Sequence, residues 1–295
     1  MIQVVMNKTM KRIFALLTAV LLLFSGCAAS SPTADIAATT LPVYEFTYRL
    51  CHGTGLTVTR LVTENVSCLH DYTLNVRQVR AAEAADLIVI SGAGLEDFME
   101  DILLGKDVID SAAGIGLLEC HHDHGHGHSH REDAHIWLSP ECALLMAQNI
   151  CTGLTARYPQ HADTFDKNLK RLLSDIEAVN DYGQAQLSQL SCRELVTFHD
   201  GFSYLADAFN LTILRAIEEE SGSEASAHEL KELIDLVRSH ELKAIFTERS
   251  GSVSATGIIA GETGATVYNL DMAMTGDSWF TAMYHNIDTL KEALE

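Results

Sequence analysis

Between positions 121 and 130 the chain reads His121-His122-Asp123-His124-Gly125-His126-Gly127-His128-Ser129-His130. Imidazole is a borderline ligand suited to zinc, copper and nickel, and interspersed glycine lets a backbone wrap around an ion. Such a tract associates with metal, yet it makes a poor principal site. A glycine-rich loop must lose much conformational entropy to fix three or four ligands in one geometry. The expectation is several weakly held ions, the alternative a solvated loop with no specific metal role. A defined site draws instead on separated residues held by secondary structure. His70 in CLHDY, His135 in DAHIWLSP and His199 in TFHDGF each stand where a strand-like run meets a loop, a common place for ligands in α/β sheets. Taken singly, each reads as a satisfied structural histidine before a ligand. Asp271, directly after Val267-Tyr268-Asn269-Leu270, is a carboxylate in the same kind of position. Three imidazoles and one carboxylate would complete a four-coordinate zinc sphere.

The elements expected to position these residues alternate. Stretches 36–40, 56–62 and 86–91 read as buried strands, with helices over 44–51 and 79–85. The rhythm returns with strands over 194–198, 211–216, 243–247 and 265–270, and helices over 201–209, 227–239, 253–263 and 279–294. Strand alternating with helix signals parallel sheets covered by helices, an α/β fold. Ser139-Pro140-Glu141 supplies an N-cap, a first-turn proline and an acid for the helix dipole. Ser226-Ala227-His228-Glu229 fits a capping box. Between 161 and 190 no strand-like run appears, while Phe165, Leu169, Leu172, Ile176 and Val179 recur at helical spacing. A long helix with α/β units on both sides suggests two lobes and a rigid connector; one more surface helix of a single domain is the alternative.

The chain has 295 residues, 47% apolar and 20% charged, which is ordinary for a globular protein with a substantial core. Its formal net charge of −20 repels phosphate backbones, so nucleic acid is excluded as an expected partner. Residues 1–27 follow a different grammar. Lys8, Lys11 and Arg12 precede a short apolar run that is below the ~20 residues of a spanning helix, as in a secretory signal. The run ends in Leu23-Phe24-Ser25-Gly26-Cys27, which resembles a bacterial lipobox and makes Cys27 the expected lipidation site. An uncleaved N-terminal anchor is the alternative; both readings put the remainder on the extracytoplasmic face of the cell membrane. A tether follows over 28–35. Cys51, Cys68, Cys120, Cys142, Cys151 and Cys192 could pair in an exported protein, with the connectivity open.

The motifs, in order, resemble those of the cluster A-I solute-binding proteins of ATP-driven zinc and manganese importers. The likeness runs from about Ala38 to Leu294: TTLPVYEF at 39–46, His70-Asp71-Tyr72, AAEAADLIVISGAGLEDFMEDIL at 81–103, Asp133-Ala134-His135-Ile136-Trp137-Leu138-Ser139-Pro140, Phe198-His199-Asp200-Gly201-Phe202 and Tyr268-Asn269-Leu270-Asp271. The histidine tract falls where the family carries a variable metal-rich loop. The resemblance implies two lobes, each a parallel sheet flanked by helices, joined by one long rigid helix, with a single metal in the cleft between them. On this chain that means an N-terminal lobe over 36–157 with the loop at 120–132, a connector over 158–190 and a C-terminal lobe over 191–295. It also implies His70, His135, His199 and Asp271 as ligands. Should His199 prove structural, Cys68 and Glu224 are the first other places to seek the fourth ligand. The chain departs from the family in carrying Leu74, Val76, Ala134 and Ala225 where prolines are usual.

Manganese receptors of that family tend to carry glutamate where this chain has His199. A third imidazole softens the sphere, so zinc is expected ahead of manganese. The implied partners are a membrane permease and its ATPase, with the receptor acting as a lipid-anchored monomer. The main rival from another class is an extracytoplasmic zinc hydrolase, with a surface zinc buffer or cell-adhesion lipoprotein the nearer alternative. An enzyme is not expected, since neither a His-Glu-x-x-His helix motif nor the His-x-His-x-Asp-His order occurs, and with no Walker A motif any transport falls to partners.

Overall fold

Eight short apolar strands build the scaffold in the computed structural model, which describes residues 34–64, 66, 69, 72–119, 132–216, 226–248 and 253–295. The leader, Cys27, Cys68, His70, Cys120, the histidine tract and Glu224 lie outside the described residues. Strands β1 (Ile36–Ala38), β2 (Val58–Arg60), β3 (Leu87–Ile90) and β4 (Val108–Asp110) form one parallel sheet in the order β2-β1-β3-β4. Strands β5 (Glu194–Thr197), β6 (Thr212–Ala216), β7 (Ala244–Glu248) and β8 (Thr266–Leu270) form a second parallel sheet in the order β6-β5-β7-β8. Burial follows that order. The central strands β1 and β7 are buried throughout and β3 and β5 nearly so, while the edge strands carry exposed or half-buried positions. Parallel sheets covered on both faces require this pattern.

Helices α1 (Leu41–Cys51), α2 (Val76–Ala84) and the short α3 (Glu100–Leu103) connect the first sheet. Helices α4 (Pro140–Arg157) and α5 (Ala162–Gln186) follow it, and α6 (Ser203–Ala208), α7 (Ala227–Ser239), α8 (Val253–Thr263) and α9 (Trp279–Leu294) accompany the second. The expected strands and helices are all present. Strand β4 is an addition: three residues, with only Ile109 buried, are too few to show a period in the sequence. Ser139 caps α4 by accepting from the Cys142 amide, and Ser226 with Glu229 forms the expected capping box on α7. Asn75 and Gln78 form a second box on α2.

The 25-residue α5 buries Phe165, Asn168, Leu172, Ile176, Val179 and Gly183 along one stripe. That stripe packs on α4, α1 and α9, so the helix touches elements of both sheets. Asn168 donates to the carbonyls of Leu50 and His52 at 2.9 and 2.8 Å, satisfying the C-terminal end of α1. Gly183 is small by necessity, since a Cβ there would come within 2.4 Å of the Phe209 ring. One buried apolar cluster runs from Ile36 and Phe46 through Trp137 and Phe165 to Phe202, Trp279 and Leu290, tying the two sheets to a shared core. Cys51, Cys142, Cys151 and Cys192 are free thiols. Burial, with a smaller contribution from the Asp35 charge, pushes the Cys51 thiol up to about 12, which keeps it inert. Among the described residues no helix is long and apolar enough to cross a membrane.

Candidate metal centre

In each sheet the chain leaves the central pair of strands in opposite directions, creating a switch point at their carboxyl ends. His199 stands two residues beyond β5, at the switch point between β5 and β7. Its carbonyl accepts from Thr197 Oγ1 at 3.0 Å, and the preceding Phe198 amide donates to Phe246 on β7 at 2.9 Å. The residue is buried, at 6% exposure. Gly201 is what lets the ring lie there. A Cβ at 201 would sit 2.7 Å from His199 Cδ2, 3.0 Å from Nε2 and 2.6 Å from Met272 Cε, so only a bare backbone can pass.

His135 arrives from the other half of the chain, on the residue before the 3-10 turn Ile136–Leu138 that leads into α4. It too is buried, at 4% exposure, and its ring faces that of His199 edge-on with centroids 5.4 Å apart. The indole of Trp137 packs on it from another side, also at 5.4 Å. Asp133 Oδ1 accepts from both the His135 amide at 2.9 Å and the ring Nδ1 at 2.8 Å. Burial raises the Asp133 carboxyl, but the His135 charge and the hydrogen bonds from its ring and amide outweigh that, leaving the group below its ordinary value. An ionised carboxylate only accepts, so Nδ1 carries a hydrogen, and in the neutral ring that tautomer leaves the Nε2 lone pair for a metal. Asp133 was not singled out from the sequence, although its position two residues before the histidine was the available signal.

Asp271 follows β8 directly. Its amide donates to Asn286 Oδ1 at 2.7 Å, its carbonyl accepts from Asn286 Nδ2 at 2.7 Å, and its Oδ1 accepts from the Ala273 amide at 2.8 Å. A cavity of about 600 Å³ opens beside it, with Arg60, Glu248, Met272 and Asp277 in its wall. Thus the structure brings His135 and His199 together. Among the described residues no group of three or more His, Cys, Asp or Glu side chains is gathered closely enough to hold an ion. His70 lies outside the described residues. Two buried imidazoles side by side are nitrogen donors of the kind zinc takes.

Comparison with known proteins places the chain among relatives. The family model described as ZnuA, zinc-uptake complex component A periplasmic, matches residues 36–293. The zinc-binding lipoprotein AdcA of Streptococcus pneumoniae is 29% identical over 97% of this chain, which spans 62% of that protein. The manganese-binding lipoprotein MntA of Bacillus subtilis is 27% identical over 82% of this chain and 84% of its own length. A crystal structure of ZnuA superposes with a TM-score of 0.78 at 29% identity, over 89% of this chain and all of that one.

Proposed function

Since the chain belongs to the family of zinc-uptake complex component A, we propose that it is an extracytoplasmic receptor that captures zinc between its lobes and delivers it to a membrane permease driven by an ATPase. The observation that carries this reading is the buried meeting of His135 and His199, with Asp133 holding one ring in the tautomer that leaves Nε2 for the ion. His70 and Asp271 supply the remaining ligands, the first from the segment after β2 and the second from the end of β8. The ion is cargo, so the site must be tight enough to capture and open enough to release. The lobes comprise 36–157 and 191–295 with the connector over 158–190, and a lipid on Cys27 keeps the receptor at the membrane. The imidazole at 199 favours zinc over manganese, which prefers harder oxygen-rich spheres.

Metal analysis after native purification, followed by competition titration with zinc and manganese, tests this reading. The expected result is one tight zinc per chain, lost by more than about tenfold in His135→Ala and in His199→Ala, since even an outer-shell partner of a ligand is worth 10–100-fold. Deleting 121–130 should remove weak additional sites and leave the tight one, because His135, His199 and Asp271 stand beside regular elements and not in that loop. Unchanged zinc affinity in both histidine variants, or tighter manganese than zinc in the wild type, would sink the assignment.

A further inference from the structure

Helix α9 begins without a cap of its own. Ser278 occupies the N-cap position, but its side chain makes no capping bond to the helix. The cap comes from a residue 234 positions away: the Trp279 amide donates to Glu45 Oε2 at 2.6 Å, and Ser278 Oγ donates to Glu45 Oε1 at 3.1 Å. A carboxylate is well suited to this place, because it meets both an unpaired N–H and the positive end of the helix dipole. Glu45 lies on α1, which packs with the first sheet, whereas α9 packs on β8 of the second.

The neighbouring contacts fasten the same segment to the same side. Leu41 donates its amide to the Met274 carbonyl at 3.0 Å, and Arg60 donates to the Gly276 carbonyl at 2.8 Å. Trp137 donates its indole to the Met272 carbonyl at 2.8 Å, and Trp279 returns the pattern to the Trp137 carbonyl at 2.9 Å. Further along α9, the fully buried Asn286 grips Asp271 through both its backbone N–H and its C=O. Helix α9 is therefore anchored at its start by the first lobe and holds the end of β8 with its middle.

We infer that Glu45 is a positioning residue for metal capture, acting across the lobes through α9 and Asn286 on the backbone of Asp271. The inference rests on the reading of Asp271 as a ligand. Ligands drawn from two lobes share one ion only while the lobes keep a fixed relation, and His135 comes from the same side as Glu45. Releasing the cap lets α9 shift against α1, which moves Asp271 relative to His135 and weakens the hold on the ion.

A double-mutant cycle tests it, with zinc affinity from competition titration and apo melting temperature recorded for every form. Glu45→Ala should weaken zinc by about tenfold or more, the scale seen for residues that orient a ligand. Glu45→Gln, which keeps an acceptor oxygen for the Trp279 amide, should fall between Glu45→Ala and wild type and is the reserve should the alanine form not fold. In the Asp271→Ala background the effect of either change on zinc affinity should vanish, while the fall in apo melting temperature persists. Equal losses of affinity in both backgrounds would mean a merely structural role and overturn the inference. Unchanged affinity in the Glu45 variants would overturn it as well, provided Asp271→Ala itself weakens zinc. If Asp271→Ala leaves zinc affinity intact, the ligand assignment falls and takes this inference with it.

Discussion

At the scale of single residues the pair His135 and His199 depends on two neighbours that carry no metal chemistry of their own. Asp133 fixes which ring nitrogen of His135 is protonated, and Gly201 leaves the room in which the His199 ring lies. Replacing Gly201 by alanine puts a methyl 2.7 Å from the His199 ring and 2.6 Å from Met272 Cε, so the ring, the methionine or the backbone must shift. Zinc affinity measured by competition should fall by about tenfold or more, a change of ~1.4 kcal/mol. Gly257, inside α8 with open space at the Cβ position, is the matched control. Gly257→Ala should leave zinc affinity unchanged and raise stability by about 0.5–1 kcal/mol, the ordinary helix preference for alanine. If the two variants bind zinc alike, the close approach at 201 has no bearing on the site.

The local chemistry of each element accounts for most boundaries. Helix α7 runs over the expected Ala227–Ser239 because the Ser226–Glu229 box marks its start, and α8 and α9 also match their expected limits. Ser226 accepts from the Glu229 amide at 3.3 Å while Glu229 Oε2 accepts from the Ser226 amide at 2.7 Å. Truncating Ser226 to alanine should cost ~1 kcal/mol in denaturant unfolding, with no change in zinc affinity since α7 carries no candidate ligand. A zinc affinity that drops with it would tie α7 to the site. The start of α9 is the instructive opposite. Its position was legible from hydrophobic spacing, but its cap was not, because Glu45 lies far away in the chain and nothing near Ser278 names it.

Across the whole molecule the two sheets end in switch points of different character. The second brings His199 to its meeting with His135; the first buries a carboxyl. Glu96, at 3% exposure, accepts from Thr39 Oγ1 at 2.6 Å, from the Ser91 amide at 2.8 Å and from the Gly92 amide at 3.0 Å. It thereby ties the end of β1 to the end of β3. Burial lifts its carboxyl to about 7, against three hydrogen bonds that favour the charged form and with a smaller push from Asp110. The folded state then holds a proton that the unfolded chain releases near its ordinary carboxyl value of 4.5. Stability contributed by the neutral form is fully present below that lower value and is lost as pH rises towards 7, by roughly 3 kcal/mol at 1.36 kcal/mol per unit. Glu96→Gln cannot titrate. The difference between wild-type and Glu96→Gln unfolding free energies should therefore slope against wild type between about pH 4.5 and 7 and flatten above. A flat difference across that window would show that Glu96 is ionised throughout.

What the sequence by itself determined is the alternation of strand and helix, the parallel character of both sheets, the long α5 and the caps of α4 and α7. Each follows from side-chain period or from hydrogen bonds spanning three or four residues, so a short window holds all the information. The motifs around His135 and His199 were legible as residue types at the ends of such elements. Only the tertiary structure decided that these two rings meet 5.4 Å apart, that Gly201 and Met272 crowd one of them, and that Asp133 orients the other. It alone supplied the Glu45 cap on α9 and the Asn286 grip on Asp271. The physical reason is common to all of these. The partners are brought together by the packing of α1, α5 and α9 on a shared core, and neither partner's local chemistry specifies which distant residue the packing will set beside it.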